Sequence, residues 1–345
     1  YYNNNSKNPS DFFWGVNTLN KKLYKIKTSF SKRGERKSIY SYLSYFFEKI
    51  FIYFLGLGAP FEVFFENKNK FSNKSIIFCC NDALSIVFLF FKSIGIIKNK
   101  IIVNFQGLSE RRLTHFKNSK INFCFVNYLL SHAEIILTLS NISKKIINYE
   151  YKIDKKKISR FDFGVDQKFW KYKKWNKKRK YILSVGNDSN RDFETLINAV
   201  GKDFKLIIVT KKKFFNCPKN IKILNDVSVI KLKKLYQNAK LTIIPSKKVI
   251  SENAGMSCIM QSMACGTPVV TSDLITLKEK FKESVEILFY RAGSVNSLNR
   301  MISKNYNNNF LLEKISKNAF KKIKTKYNYL KLSNQLNKHI LSLCK

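Results

Sequence analysis

The run Leu241-Thr-Ile-Ile-Pro-Ser-Lys-Lys-Val-Ile-Ser-Glu-Asn-Ala-Gly-Met-Ser-Cys-Ile-Met-Gln-Ser-Met-Ala-Cys-Gly-Thr-Pro-Val-Val-Thr271 decides the fold. The run Leu241–Ile244, three apolar residues and Thr242, stops at Pro245, which lacks the N–H that a central strand needs. A polar loop follows through Glu252, Asn253, Ala254 and Gly255. Helical spacing then runs from Ser257 to Cys265, and Gly266 ends it as glycine commonly does. Pro268–Thr271 opens the next strand. Strand, helix and strand at this spacing form a parallel unit. The helix start leaves the backbone N–H groups of Gly255, Met256 and Ser257 facing outward, and its dipole favours anions. A diphosphate suits that end. Further along the helix, Gln261 offers a donor and an acceptor to a sugar hydroxyl.

The same alternation extends in both directions. Predicted strands are Ile76–Cys80, Ile101–Asn104, Ile121–Val126, Ile135–Leu139, Tyr181–Val185, Lys205–Val209 and Ile221–Leu224. Predicted helices are Ala83–Ile94, Asn141–Tyr149, Asp192–Val200 and Ile230–Ala239, with two more in Asn309–Lys345. Continuously apolar strands separated by helices indicate parallel sheets covered on both faces, the doubly wound α/β class. The alternation pauses over the basic, Trp-containing stretch Asp166–Lys180. This predicts an N-terminal domain over 1–166, a C-terminal domain over 167–325, and a last helix over 326–345 returning to the N-terminal domain. Length agrees with two domains. Tyr1 rather than Met opens the sequence, and the first strand is expected to be truncated.

The formal net charge is +41, from 64 Lys+Arg against 23 Asp+Glu. Nearly all the cations are Lys, accompanied by abundant Asn, Ile, Phe and Tyr. These residues share A/T-rich codons, so drift of base composition accounts for the bias, with or without attraction to an anionic membrane surface. Arg is scarce and no nucleic-acid motif occurs, which argues against a nucleic-acid partner. Seven scattered cysteines include no C-x-x-C pair, as expected of a reducing cytoplasm without a zinc site. No signal peptide is evident. Ile39–Leu57 is strongly apolar but carries Glu48 and Lys49 near its middle. It reads either as a core-facing helix or as an aromatic element at a bilayer interface.

Residues 252–270 resemble the donor-site signature of retaining GT-B glycosyltransferases, in particular glycosyltransferase family 4. That family shows two glutamates eight residues apart, then Ala-Met-Ala-x-Gly-x-Pro-Val-Val. Ser262–Val270 matches the second part closely. Gln261 stands where the second glutamate, which holds the nucleotide ribose, is expected; eight residues before it is Asn253, with Glu252 one earlier. The resemblance implies that Glu252 or Asn253 lies at the donor sugar. Tyr181–Ala199 resembles the first strand, loop and helix of the family's donor domain, with Gly186 approaching the ligand. Asn187 replaces the family's Arg, and Arg191 falls near its Lys, both of which bind diphosphate. Arg191 reads alternatively as a solvated helix-start residue beside Asp192. Val227–Ser246 resembles the next block, which implies a base site around Val227, Ser228 and Val229. His132–Ile146 and Phe163–Asp166 resemble the last acceptor-domain unit and the hinge.

On the acceptor side, Asp11–Leu19 resembles the family's first glycine loop, with Gly15 the candidate near the donor sugar. Asn81 and Asp82 follow one strand, and Gln106 follows the next, at carboxyl ends where α/β proteins bind ligands. Asp82 is equally an N-cap for the helix after it. The resemblance implies two Rossmann-like domains facing a central cleft. It also implies retaining transfer from a nucleotide diphosphate sugar to a glycan or lipid-linked acceptor, as in polysaccharide biosynthesis at the cell envelope. No cofactor and no metal are expected, and the location is cytoplasmic or peripheral on the inner membrane face. Substitutions at Asn187, Gln106 and Gln261 leave a catalytically impaired binding or scaffold subunit as the alternative. A nucleotide-sugar epimerase fits less well.

Overall fold

The computed structural model describes residues 8–29, 39–68, 71–72, 74–115, 117, 119–214, 217–251 and 255–344, with only the backbone at 39–41 and 43. The chain divides into two compact units. One comprises Thr18–Asp162 and Asn334–Lys345; the other comprises Tyr1–Asn17 and Phe163–Ser333. The described residues 8–17 thus group with the C-terminal unit, and the division at the other end falls inside the last helix.

The first unit contains helices α1 (Ile39–Leu55) and α2 (Phe61–Asn67), then strand β1 (Ile76–Cys79), α3 (Asp82–Ser93) and β2 (Lys100–Phe105). Next come α4 (Leu108–Leu113), α5 (Lys120–Ser131), β3 (Ile135–Thr138), α6 (Asn141–Glu150) and β4 (Ile158–Arg160). Its four strands lie in the order β1-β2-β3-β4, all parallel. Ile101, Ile102, Val103, Ile136 and Leu137 are fully covered, as both faces of a parallel sheet must be. The expected strand Ile121–Val126 is instead the start of α5. Ser119 caps it by accepting from the N–H of Asn122, while Val126, Leu129 and Leu130 bury one helical face and Ile121 stays exposed. The short apolar run there was outweighed by packing at three- and four-residue spacing. Strand β4, only three residues long after a lysine run, carries too little pattern to be read locally.

The second unit contains β5 (Ile182–Val185), α7 (Phe193–Val200), β6 (Leu206–Val209), β7 (Ile221–Leu224), α8 (Val229–Asn238) and β8 (Leu241–Ile244). It continues with α9 (Met256–Ala264), β9 (Val269–Ser272), α10 (Ile275–Lys278), β10 (Leu288–Tyr290), α11 (Val295–Asn305) and α12 (Asn309–Lys326). The last helix, α13 (Tyr329–Cys344), begins in this unit. The six strands are ordered β10-β9-β8-β5-β6-β7. Numbered within the unit, the order is the Rossmann one, reversing between β5 and β8. The stretch expected to be a boundary is packed into this unit. Trp170 and Trp175 are buried, the Trp175 indole donates to the Lys240 carbonyl, and Arg179 bonds the carbonyls of Ala239, Gly266, Lys173 and Lys174.

Candidate functional site

In open α/β sheets, ligands bind beyond the strand ends where the order reverses. In the second unit that point lies after β5 and β8, and Arg191 is built there. Its loop pairs with the one after β8 through an Arg191–Ser246 bridge and a bond from the Lys247 N–H to the Asn190 carbonyl. The guanidinium donates from Nε to the Val185 carbonyl at 3.1 Å, and Nη1 lies 3.4 Å from Ser246 Oγ. Its Nη2 is 3.2 Å from an Asp188 carboxylate oxygen and 3.9 Å from Cys258 Sγ. The side chain is 2% exposed, so the solvated helix-start reading is corrected. Its ion pair is with Asp188; Asp192 instead caps α7 by accepting from Thr195 N–H.

Two glycines give that guanidinium room. A Cβ on Gly186 would stand 2.1 Å from Arg191 Nε. Gly255, the N-cap of α9, has φ +78° and offers no side-chain cap to the helix's first amides. A Cβ there would meet Ile244 at 2.6 Å and Arg191 Nη2 at 2.9 Å. Only glycine combines that backbone region with that clearance. A fixed cation therefore stands beside the helix start that carries Met256 and Ser257, where the dipole also attracts negative charge. Asn187 is turned elsewhere: its Oδ1 accepts from the N–H of Lys211 at 2.6 Å and from the Thr210 hydroxyl at 3.2 Å. Ser228 is the N-cap of α8, accepting from Lys231 N–H. Glu252 and Asn253 lie outside the described residues.

Gln261, on the buried face of α9, donates Nε2 to Asp11 Oδ2 at 3.0 Å. The same oxygen accepts from the Trp170 indole at 2.6 Å, and Asp11 Oδ1 accepts from Asp166 N–H at 2.5 Å. Asp166 reciprocates by accepting from Ser10 N–H at 3.0 Å. Asp11 was not singled out from the sequence, where a lone Asp before two phenylalanines has no signal of its own. Complete burial pushes its carboxyl from 3.8 up to about 6, against the lowering effect of its three donors. A folded-state value above the unfolded one means the folded protein binds the proton more tightly. That stabilisation is full below 3.8 and is lost as pH rises through about 6. Between those limits the shift corresponds to about 3 kcal/mol. Denaturant unfolding from pH 4 to 7 should show wild type losing up to that amount relative to Asp11→Asn; a difference constant with pH would contradict the assignment. Gly15, at φ +87°, packs against the Ser333 backbone, 2.7 Å from a constructed Cβ. In this unit it makes room for the start of α13.

In the first unit, Asn81 is the cap of α3, accepting from Leu84 N–H at 2.9 Å; Asp82 is the helix's first residue and not its cap. The Asp82 carboxylate accepts from the N–H groups of Gln106 at 2.5 Å and Gly107 at 3.0 Å, and pairs with Arg111 at 2.9 Å. It thus fixes the loop after β2. Gln106 donates Nε2 to the Cys80 carbonyl at 3.0 Å. The structure brings Asp82 and Gln106 together, and separately Gly186, Arg191 and Gly255.

Residues 166–322 match the family model described as glycosyl transferases group 1. No curated protein matches the chain in sequence. Among solved structures, Anabaena HepE, crystallised with UDP, aligns at TM-score 0.63 and 13% identity, covering 78% of this chain and 79% of that one. The sucrose-phosphate synthase of Thermosynechococcus elongatus aligns at 0.68 and 15% identity, covering 82% and 77%. A glycosyltransferase from Rickettsia africae aligns at 0.59 and 14%, covering 91% and 83%. At such identities the likeness speaks for the fold, and the sheet order and the family match agree with it. The chain thus has the GT-B fold, and its residues 166–322 match the glycosyl transferases group 1 model.

Proposed function

We propose that this protein transfers a hexose from a nucleoside diphosphate sugar to a hydroxyl of a glycan or lipid-linked acceptor, with retention at the anomeric carbon. The observation that carries this reading is Arg191, buried beside Gly186 and Gly255 at the opening of α9 in the group 1 domain. Cleavage of the sugar–phosphate bond leaves a diphosphate, and charge that develops on it is stabilised by donors fixed in advance. Arg191 and the amides of Gly255, Met256 and Ser257 supply those donors without a divalent metal. Glu252 or Asn253 serves at the donor sugar. Gln261 serves at the ribose, and Val227–Val229 at the base. In the first unit, Asp82 holds the loop on which Gln106 meets the acceptor, with Asn81 completing that side; Gly15, in the second unit, serves near the donor sugar. The HepE relative has also been crystallised with UDP-glucose, which makes uridine diphosphate hexoses the first donors to test.

Calorimetry with UDP should give saturable binding. Incubation with UDP-hexoses and lipid-linked or glycan acceptors should give an EDTA-insensitive product whose anomeric configuration, read by NMR, is that of the donor. A folded protein that binds no nucleoside diphosphate would overturn the reading. The positions of the Asn187 and Gln106 side chains favour a second reading, a binding subunit without turnover. It predicts nucleotide binding with no transfer or donor hydrolysis.

Peripheral attachment to an anionic inner membrane surface belongs to the same proposal. Helix α1 buries Phe51 and Leu55 in its unit's core, where Phe51 meets the rings of Phe61, Phe90 and Phe125. The same helix exposes Tyr42, Phe46, Phe47, Ile52, Tyr53 and Phe54. Among the described residues no helix is long and apolar enough to cross a membrane. Exposed aromatic side chains, with Lys49 Nζ 4.7 Å from the Tyr45 ring centroid, suit the interface of an anionic bilayer. In co-sedimentation with phosphatidylglycerol vesicles, the triple variant Phe46→Ser, Tyr53→Ser, Phe54→Ser should partition at least roughly tenfold less than wild type. Equal partitioning would remove α1 from the attachment.

A further inference from the structure

A glutamine is ambiguous toward a ligand, because its amide can turn either two donors or one acceptor outward. In this chain the ambiguity is removed from outside the helix. Asp11 Oδ2 lies 3.0 Å from Gln261 Nε2 across 250 residues of sequence. The carboxylate is wholly buried, and the Trp170 indole and Asp166 N–H hold it in place. An ionised carboxylate only accepts, so the NH₂ group of Gln261 must face it. The carbonyl Oε1 is thereby directed away from Asp11, and it accepts no hydrogen bond from the described residues, although the residue is 4% exposed. Gln261 is the sixth residue of α9, about 7–8 Å along the axis from the helix start. That is a suitable reach for a ribose whose diphosphate sits at the N-terminus.

We infer that Asp11 is a positioning residue that makes Gln261 present its carbonyl oxygen to the ribose hydroxyls of the bound nucleotide. The inference rests on the nucleotide-sugar reading above. It assigns to a residue near the start of the sequence a part in nucleotide recognition by a domain that begins more than 150 residues later. A hydroxyl donates to Oε1 in place of the carboxylate oxygen that a glutamate would offer. The negative charge remains one residue further back, shielded by three donors.

The test compares UDP with 2′,3′-dideoxy-UDP by calorimetry on the full chain. Wild type should prefer UDP by roughly tenfold, the size of one or two well-made hydrogen bonds. Asp11→Asn frees the Gln261 amide to turn, so the preference should fall toward one while dideoxy-UDP binds as before. Adding Gln261→Glu to Asp11→Asn should restore the preference, because the amide introduced at 11 donates to the carboxylate introduced at 261. An unchanged preference in Asp11→Asn overturns the inference and leaves the nucleotide reading standing. Equal loss for both ligands also overturns it, since a purely structural role would do that. No binding of either ligand to wild type overturns the nucleotide reading itself. Should Asp11→Asn not fold, glutamine-labelled wild type gives the answer by NMR. The Gln261 NH₂ resonances should hold their position when UDP binds, and a large UDP-dependent shift would mean that the donors face the ribose.

Discussion

Arg191→Gln is expected to lower kcat/KM for sugar transfer by roughly 10²–10³-fold, the usual cost of removing one preorganised donor from a developing anion. The side chain is buried and bonded to Val185, Ser246 and Asp188, so its position is fixed before any ligand arrives. Glutamine keeps a donor but loses the charge and the fork. The fall should be steeper in kcat than in KM if the diphosphate gains charge in the transition state. Arg191→Lys should recover part of the rate, because an ammonium restores charge without bidentate geometry. Kinetics with a UDP-hexose, alongside denaturant melts of each variant, make the measurement. A folded Arg191→Gln protein with near wild-type turnover would remove Arg191 from the diphosphate.

Trp170→Ala is expected to destabilise the C-terminal unit by about 3–5 kcal/mol, the range for deleting a large buried aromatic. The ring is 1% exposed and packs edge-on against Phe169 and Tyr236. Its loss also takes one donor from the buried Asp11 carboxylate. Trp170→Phe separates the two effects. It keeps most of the packing but removes the N–H, and about 1–3 kcal/mol should be lost for leaving a charged acceptor underserved. Urea unfolding measures both. If the two variants lose the same amount, the indole hydrogen bond dominates, and if Trp170→Phe loses nothing, the bond to Asp11 contributes nothing.

Legibility in the sequence followed the range of the interactions. Ile221–Leu224 and Leu241–Ile244 were read to the residue, and the helix of Met256–Ala264 to within one. Each is a short apolar run or a helical stripe bounded by Pro, Gly or a polar cap, so its signal is contained in its own neighbours. Ile121–Val126 failed because five apolar residues among six fit a strand as well as a helix, and only the core beneath α5 chose. Of the site, Gly186 was visible as the residue after a strand, and Arg191 and Gly255 as residues at helix starts. Their mutual dependence was not: Gly186 yields space to the guanidinium from within its own loop, and Gly255 does so from the loop after β8.

Local pattern was enough for the doubly wound parallel class, the strand–helix–strand unit over 241–271 with its open helix start, and the resemblance to the glycosyl transferases. These follow from periodicity and from glycine and proline at fixed offsets, which act over a few residues. Packing in three dimensions is needed to bury Arg191 against Asp188, to place Trp170 and Trp175 in a core, and to bring Asp11 to Gln261. Desolvation and hydrogen bonding depend on what lies a few ångströms away, and a chain that brings residues 11, 170 and 261 together leaves no local mark of it.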